Sequence, residues 1–404
     1  MDFLKELMDS TNEYESPRQF WYWSGLAMLS AAVKDNVWVE RGGIQELNVY
    51  PNVYIMLLAK SGLRKSNPVS FARRIVKINE LTRVYSGRSS IEAIVQDLGK
   101  AYTTLSKKVI VDACGLVTAS EFSSSLINNP QALTILTDLY DRNYNSGEWR
   151  SMMKVAGVDN LKNPTLSMLV ATNPAHLQDF VSAKDMYGGY FGRTFIIQAD
   201  KKHRSSSLFG QKMGRTPDII LLSDYLKRIS KLSGAFTNTE QAAKIYDYWY
   251  QQHDLNAGTN GNEDRTGTEE RTGDSVLKVA SLLSLSQSED MIIREGHIEQ
   301  AIKLCEPLIN TAGRATKGKG KSNFGEATAI VLEELWKNKG EISRERLLEK
   351  HWADFDALDL NRIVITLEGQ KAIQVKQDGA KTIYVMPPGV WDQYDKFRRT
   401  KTID

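Results

Sequence analysis

The segment Tyr54-Ile55-Met56-Leu57-Leu58-Ala59-Lys60-Ser61-Gly62-Leu63-Arg64-Lys65-Ser66 has the residue types and order needed to bind phosphate. A strand-like apolar run passes into a short polar loop, and Lys-Ser then opens a helix, which is the layout of a P-loop. The backbone N–H groups from Ser61, Gly62, Leu63 and Arg64 through Asn67 face an anion in such a loop, and the positive end of the helix dipole adds attraction. Lys65 then sits on the β- and γ-phosphates of a nucleotide, and the Ser66 hydroxyl holds Mg²⁺. Two of the usual glycines are replaced. Ala59 is a mild change. Arg64 is a larger one, because a side chain there excludes conformations that only glycine tolerates.

Splitting a bound nucleoside triphosphate requires an acid to activate water, a polar group near the γ-phosphate and a cation for the developing charge. The chain supplies each in order after Lys65. Glu121 ends the apolar run Gly115–Glu121, preceded by Ser120 where a second acid is usual. Asp112, ending Val109-Ile110-Val111-Asp112, is the competing acid. The Ala-Cys-Gly that follows Asp112 reads as a turn, which favours Glu121 as the strand-end acid beside the phosphates. Leu169-Val170-Ala171-Thr172-Asn173-Pro174 puts the Asn173 amide at the end of a buried strand, where it can hold a water or a γ-phosphate oxygen; alone it reads as an ordinary turn asparagine. Arg193 immediately precedes the apolar strand Thr194–Ile197, where a ring ATPase keeps an arginine finger for its neighbour; a surface ion pair is the plainer reading. Arg271, ahead of an expected helix from Ser275, is a further cation.

The elements that must position these residues alternate. Helices are expected within 1–35, strands at Val37–Glu40 and Val49–Leu58, and helices at about 68–81 and from a Ser89-Ser90-Ile91-Glu92 cap to about 104. Further strands read at 109–112, 115–121, 166–171 and 190–198, helices at 122–128 and 130–141, and a hairpin within 148–165. Strands alternating with helices predict an α/β fold around a largely parallel sheet. From about 216 the pattern is helical, at 218–233, 238–254, 274–287 and 296–311, with a polar loop at 257–273. The segment 312–322 reads as a linker. Three helices and a hairpin about Asp378-Gly379 then read as a winged helix. The resulting boundaries are an N-terminal helical segment (1–48), the sheet-bearing core (49–215), a helical lid (216–311), the linker (312–322) and the winged-helix domain (323–404).

The 404-residue composition, 41% apolar and 25% charged, is that of a globular protein. No apolar run is long enough to span a membrane, and the acidic, amphipathic start is unlike a secretory signal. Two distant cysteines, Cys114 and Cys305, argue for a reducing compartment and against a disulfide framework or structural zinc. A cytoplasmic location is expected. The net charge of +3 is small, but Arg314, Lys317, Lys319 and Lys321 form one basic cluster and Lys396, Arg398, Arg399 and Lys401 another, which suits phosphate backbones as well as it suits solvated surface. In the expected hairpin, Arg150 and Lys154 can grip single-stranded phosphates, with Trp149 for base stacking. Asn361 and Arg362 sit on the expected recognition helix of the winged helix, and Lys376 and Lys381 flank its wing. That helix has few basic residues for a strong DNA reader, which leaves room for a protein-contact role.

The ordered series of strand and P-loop, Ser120-Glu121-Phe122, Asn163 to Pro174, Gly188 to Ile197 and a helical lid resembles AAA+ ATPases. It is similar to the minichromosome-maintenance-like helicases, and closer to a group of phage and mobile-element P-loop proteins often joined to primase-polymerase modules. That group tolerates a non-glycine residue before the P-loop lysine. The resemblance covers about 50–310, and the winged helix extends it. It implies ATP and Mg²⁺ as ligands, a homo-hexameric ring with single-stranded DNA in its channel, a primase or polymerase partner, and the work of a DNA helicase or helicase-like motor in replication. Lys65 and Ser66 match Walker A, Glu121 Walker B (with Ser66, the metal donors), Asn173 sensor 1 and Arg193 the arginine finger. Arg271 is a weaker match to sensor 2. Ala59, Arg64 and Ser120 depart from the pattern, and the missing second acid weakens Mg²⁺ binding. These departures also suit an alternative, a nucleotide-switched DNA-binding or loader protein with little unwinding activity.

Overall fold

Tyr54–Leu58, here β1, is buried at every position. The residues alternate between two cores, as a strand covered on both faces requires. Ile55 and Leu57 join the core that contains the helices Arg18–Val33 and Ser66–Ile78. Tyr54, Met56 and Leu58 join a second core with helices Ile91–Leu98 and Ala132–Asp141. In this computed structural model all residues are described except 88, 105, 108, 123–130, 142–147, 154–156, 181–188, 206–214, 257–265, 317–324, 353, 380 and 402–404. The chain forms two compact units, Met1–Lys317 and Gly318–Asp404.

The central sheet of the first unit has five parallel strands. With Arg83–Ser86 as β2, Cys114–Ala119 as β3, Thr165–Thr172 as β4 and Thr194–Gln198 as β5, its spatial order is β5-β1-β4-β3-β2. The protein is therefore α/β with a largely parallel sheet and helices on both faces. The register places Leu58 beside Thr172 and Gln198, and Ala119 beside Val170, so the carboxyl ends of β1, β3, β4 and β5 share one edge. Ligands of open parallel sheets bind beyond that edge.

Several elements differ from expectation. Val109–Ile110 pairs with Tyr102–Thr103 in a two-stranded ribbon outside the central sheet, and β2 fills the edge position instead. Val37–Val39 joins a second parallel sheet with Gly234–Asn238 and Ile292–Ile293. The helix expected from 274 begins at Thr268, inside the expected loop, with Glu269 and Glu270 in a first turn that favours acids. Gly273 lies within it because a Cβ there would stand 2.5 Å from the Tyr250 ring. The next helix runs to Thr316, so the start of the expected linker is helical. The rest of that linker, with Lys317, Lys319 and Lys321, lies outside the described residues, as do Lys154 and most of the helix expected at 122–128. Among the described residues no helix is long and apolar enough to cross a membrane.

The second unit contains helices Gly325–Lys337, Arg344–Lys350 and Ala357–Gly369, followed by an antiparallel hairpin, Gln374–Asp378 with Lys381–Val385. Glu341–Ser343 adds a third strand beside Lys381–Val385, and a helix that the sequence reading did not expect, Pro388–Lys401, carries the C-terminal basic cluster.

Candidate functional site at the carboxyl edge of the sheet

The loop leaves β1 at Ala59, whose N–H donates to the Thr172 carbonyl 3.2 Å away. Ser61 and Gly62 make the turn. Gly62 has φ +88° with nothing near its missing Cβ, so this position needs glycine for its backbone and leaves open space in front. The helix starts at Ser66, and Pro68 occupies its first turn, where a missing N–H breaks no helical bond. Ser61, Gly62, Ser66 and Asn67 are exposed, and Leu63 and Lys65 are half-buried.

Arg64 takes φ +56°, the left-handed region that glycine enters freely and that costs other residues about 1–2 kcal/mol. The replacement of glycine does not exclude the conformation. Two residues of the N-terminal segment brace it. The buried Ser16 hydroxyl donates to the Arg64 carbonyl at 2.8 Å, and Arg64 Nε donates to Glu15 Oε2 at 2.9 Å. Glu15 also accepts from Lys202 Nζ at 2.9 Å. The Arg64 side chain is thus turned onto a carboxylate, so here it is not a second phosphate cation.

Glu121 follows β3 at the same edge. The Phe122 N–H donates to the Ala171 carbonyl at 2.6 Å, carrying the β3–β4 pairing past the acid. One strand, β4, separates β1 from β3, so the loop and the acid start from strands roughly 10 Å apart, room for a phosphate chain and an ion. Asp112 stands before β3, at the opposite edge. Its carboxylate pairs with Lys34 at 2.7 Å and lies 3.6 Å from the buried Arg83 guanidinium, which makes it a structural brace.

Asn173 ends β4 between the loop and Glu121. Its Oδ1 accepts the His176 N–H at 2.8 Å and so starts the helix Pro174–Phe180. This brings in a residue the sequence reading missed: His176 Nδ1 lies 3.0 Å from Glu121 Oε1. The only sequence signal was its place three residues after a capping asparagine. Thr172, wholly buried beside the loop strand, has a hydroxyl with no hydrogen-bond partner. Ser66 and Glu121 supply a hydroxyl and a carboxylate, oxygen donors suited to Mg²⁺.

Arg193 and Arg271 lie elsewhere. Arg193 precedes Thr194, which pairs with Tyr54 at the start of β1. The five residues of β1 put about 16 Å between that amino edge and the loop. Arg193 donates through Nε to Asp141 Oδ1 at 2.8 Å, through Nη2 to Asp141 Oδ2, and through Nη1 to the Gly189 carbonyl at 2.9 Å. Burial opposes its charge, but Asp141 outweighs that and holds its pKa above the ordinary arginine value. Arg271 Nη1 donates to the Gly267 carbonyl at 3.0 Å, and both guanidinium groups approach Gly189. Burial, then the neighbouring Arg193, push Arg271 below the usual value. Arg271, read as a further cation, stands beside Arg193, on a helix that starts earlier than expected. Gly192 locks the two segments together, since a Cβ there would come 2.5 Å from the Thr266 carbonyl oxygen.

The expected hairpin is present, Glu148–Met153 with Gly157–Lys162, and Arg150 is exposed on it. Trp149 is not available for stacking on a base: it is 8% exposed in the core, with its indole N–H 3.2 Å from Asp138 Oδ2. In the second unit, Arg362 is exposed, Asn361 accepts from Arg344 Nη1, and Lys376 Nζ lies 4.0 Å from Glu341 Oε1. Leu358 and Ile365, seven residues apart on the helix Ala357–Gly369, are 68% and 69% exposed, so this helix presents apolar as well as polar side chains. No protein-family model and no curated protein matches this chain.

Proposed function

We propose that this protein is an AAA+-type ATPase that works as a ring-shaped DNA helicase or helicase-like motor. The observation that carries the reading is the division of residues between the two edges of one sheet. Lys65, Ser66, Glu121 and Asn173 gather at the carboxyl edge, while Arg193 and Arg271 gather at the amino edge. A cation that far from its own loop serves a nucleotide only on an adjoining subunit, which is the logic of a head-to-tail ring.

In this reading Lys65 binds the β- and γ-phosphates of ATP, the loop amides hold the anion, and Glu121 takes a proton from the attacking water. Asn173 orients that water through its amide. Ser66 and Glu121 would hold Mg²⁺, which neutralises phosphate charge when bound. Arg193 leaves Asp141 for the neighbour's phosphates, stabilising charge as the bond breaks. The hairpin bearing Arg150 faces single-stranded DNA in the channel, and the second unit is a winged helix. The exposed Leu358 and Ile365 favour an apolar contact for its helix over strong DNA reading, such as one made by a primase or polymerase.

A fluorescence strand-displacement assay on a forked duplex tests the motor. ATP-dependent opening supports it. DNA-stimulated hydrolysis without opening would overturn it, and nucleotide binding without sustained hydrolysis is the outcome of the loader reading, which the lone acid and the engagement of Glu121 by His176 also suit.

A further inference from the structure

We propose that Glu15 and Ser16 are positioning residues that set the phosphate loop, replacing the glycine that position 64 lacks. The inference rests on the nucleotide-binding reading of the loop. Arg64 holds φ +56°, a conformation that an L-residue keeps only when its surroundings fix it. The brace has two arms. The wholly buried Ser16 hydroxyl donates to the Arg64 carbonyl at 2.8 Å, an oxygen that also accepts the Asn67 N–H at 3.2 Å. Glu15 accepts from Arg64 Nε and from Lys202 Nζ, each at 2.9 Å. The brace is itself anchored, because the Glu15 carbonyl accepts the His203 N–H at 3.0 Å. Ser16 thus fixes the main chain of the residue before Lys65, and Glu15 fixes its side chain. Arg64 is tied to the N-terminal segment and stays clear of the open face at Gly62. In a loop with glycine at this position neither arm is needed, since glycine enters the left-handed region at no steric cost.

The test is a double-mutant cycle on the full chain. Binding of a fluorescent ADP analogue is titrated for the wild type, S16A, E15Q, R64G and the pairs S16A/R64G and E15Q/R64G. Loss of the Ser16 hydrogen bond in S16A, and of the carboxylate charge on the Arg64 contact in E15Q, are each expected to weaken binding about fivefold to tenfold. In the R64G background the same changes are expected to weaken it less than about twofold, because glycine holds the conformation unaided. Losses equal in both backgrounds, or no loss in either, overturn the proposal.

Amide hydrogen exchange over residues 61–67 in nucleotide-free protein gives a second readout. Exchange is expected to speed up in S16A and to be unaffected by the same change in R64G. Unchanged exchange in S16A overturns the brace whether or not nucleotide binds. A wild-type protein that binds no ADP overturns the nucleotide reading instead, and the exchange data still decide the brace.

Discussion

His176 Nδ1 lies 3.0 Å from Glu121 Oε1, and the same residue's main-chain N–H caps onto Asn173. The strand-end acid and the strand-end amide are therefore held by one short helix.

This arrangement separates the two competing acids by experiment. Glu121→Gln is expected to reduce ATP turnover at least about 100-fold, the usual scale of a lost general base, with the melting temperature unchanged because the side chain is exposed. Asp112→Asn is expected to cost about 1–3 kcal/mol of stability, since it loosens ion pairs to Lys34 and the buried Arg83. Its turnover per folded molecule stays near wild type. His176→Ala removes only orientation, so turnover falls several-fold with nucleotide affinity unchanged. Steady-state kinetics and thermal melts on the three variants check the set.

Arg193 and the loop act across a subunit boundary in this account, so complementation is expected. Lys65→Ala and Arg193→Ala chains are each inactive alone. Mixed in equal amounts, they form some interfaces with an intact loop and an intact arginine, and turnover recovers to at most roughly a quarter of wild type. No recovery on mixing would mean that Arg193 serves its own chain or the fold alone.

Lys278 predicts a pH dependence. Its ammonium is buried against the Tyr140 ring and donates to Tyr50 O, Asn52 O and Asn52 Oδ1 at 2.6, 3.1 and 2.6 Å. Burial pushes its pKa down to about 7, with Asp274 and Asp141 pulling the other way. Between pH 7 and the ordinary lysine value the unfolded chain holds the proton that the folded chain gives up, so stability rises with pH in that window. The wild type is expected to gain about 2 kcal/mol between pH 7 and 9 relative to Lys278→Met in urea melts. A flat difference would show that the three acceptors keep the proton on.

On the hairpin the two neighbours have opposite roles. Trp149→Ala is expected to cost about 3–5 kcal/mol, as for a large buried aromatic, and Arg150→Ala to leave the melt unchanged. Arg150→Ala should lower the salt slope of single-stranded DNA binding by about one ion. Fluorescence-anisotropy titrations at several salt concentrations read the slope.

Strand β1 was legible because burial on both faces makes it apolar throughout, and the loop that follows is local in sequence. The end positions of β3 and β4 were legible for the same reason, which is how Glu121 and Asn173 were placed beyond strand ends. Position along a strand does not say which partner a side chain meets. Asp141 lies 52 residues from Arg193, and Ser16 lies 48 from Arg64, so neither pairing leaves a local pattern. Trp149 looked available because an alternating strand does not reveal which of its faces a helix covers. Of the three-stranded sheet, Val37–Val39 was read as a strand, Ile292–Ile293 is too short to show a period, and Gly234–Asn238 lies between two stretches of helical pattern. The start of the helix bearing Arg271 was read too late because glycines and polar residues read as loop, although Gly273 is there for close contact with Tyr250.

The most direct test is steady-state ATP hydrolysis by the full chain, with and without single-stranded DNA, against Lys65→Ala. Turnover is expected to rise with DNA and to fall at least about 100-fold in Lys65→Ala, where the phosphate-binding cation is removed. Turnover indifferent to Lys65, or no turnover by the wild type with DNA and Mg²⁺ present, would contradict the ATPase reading.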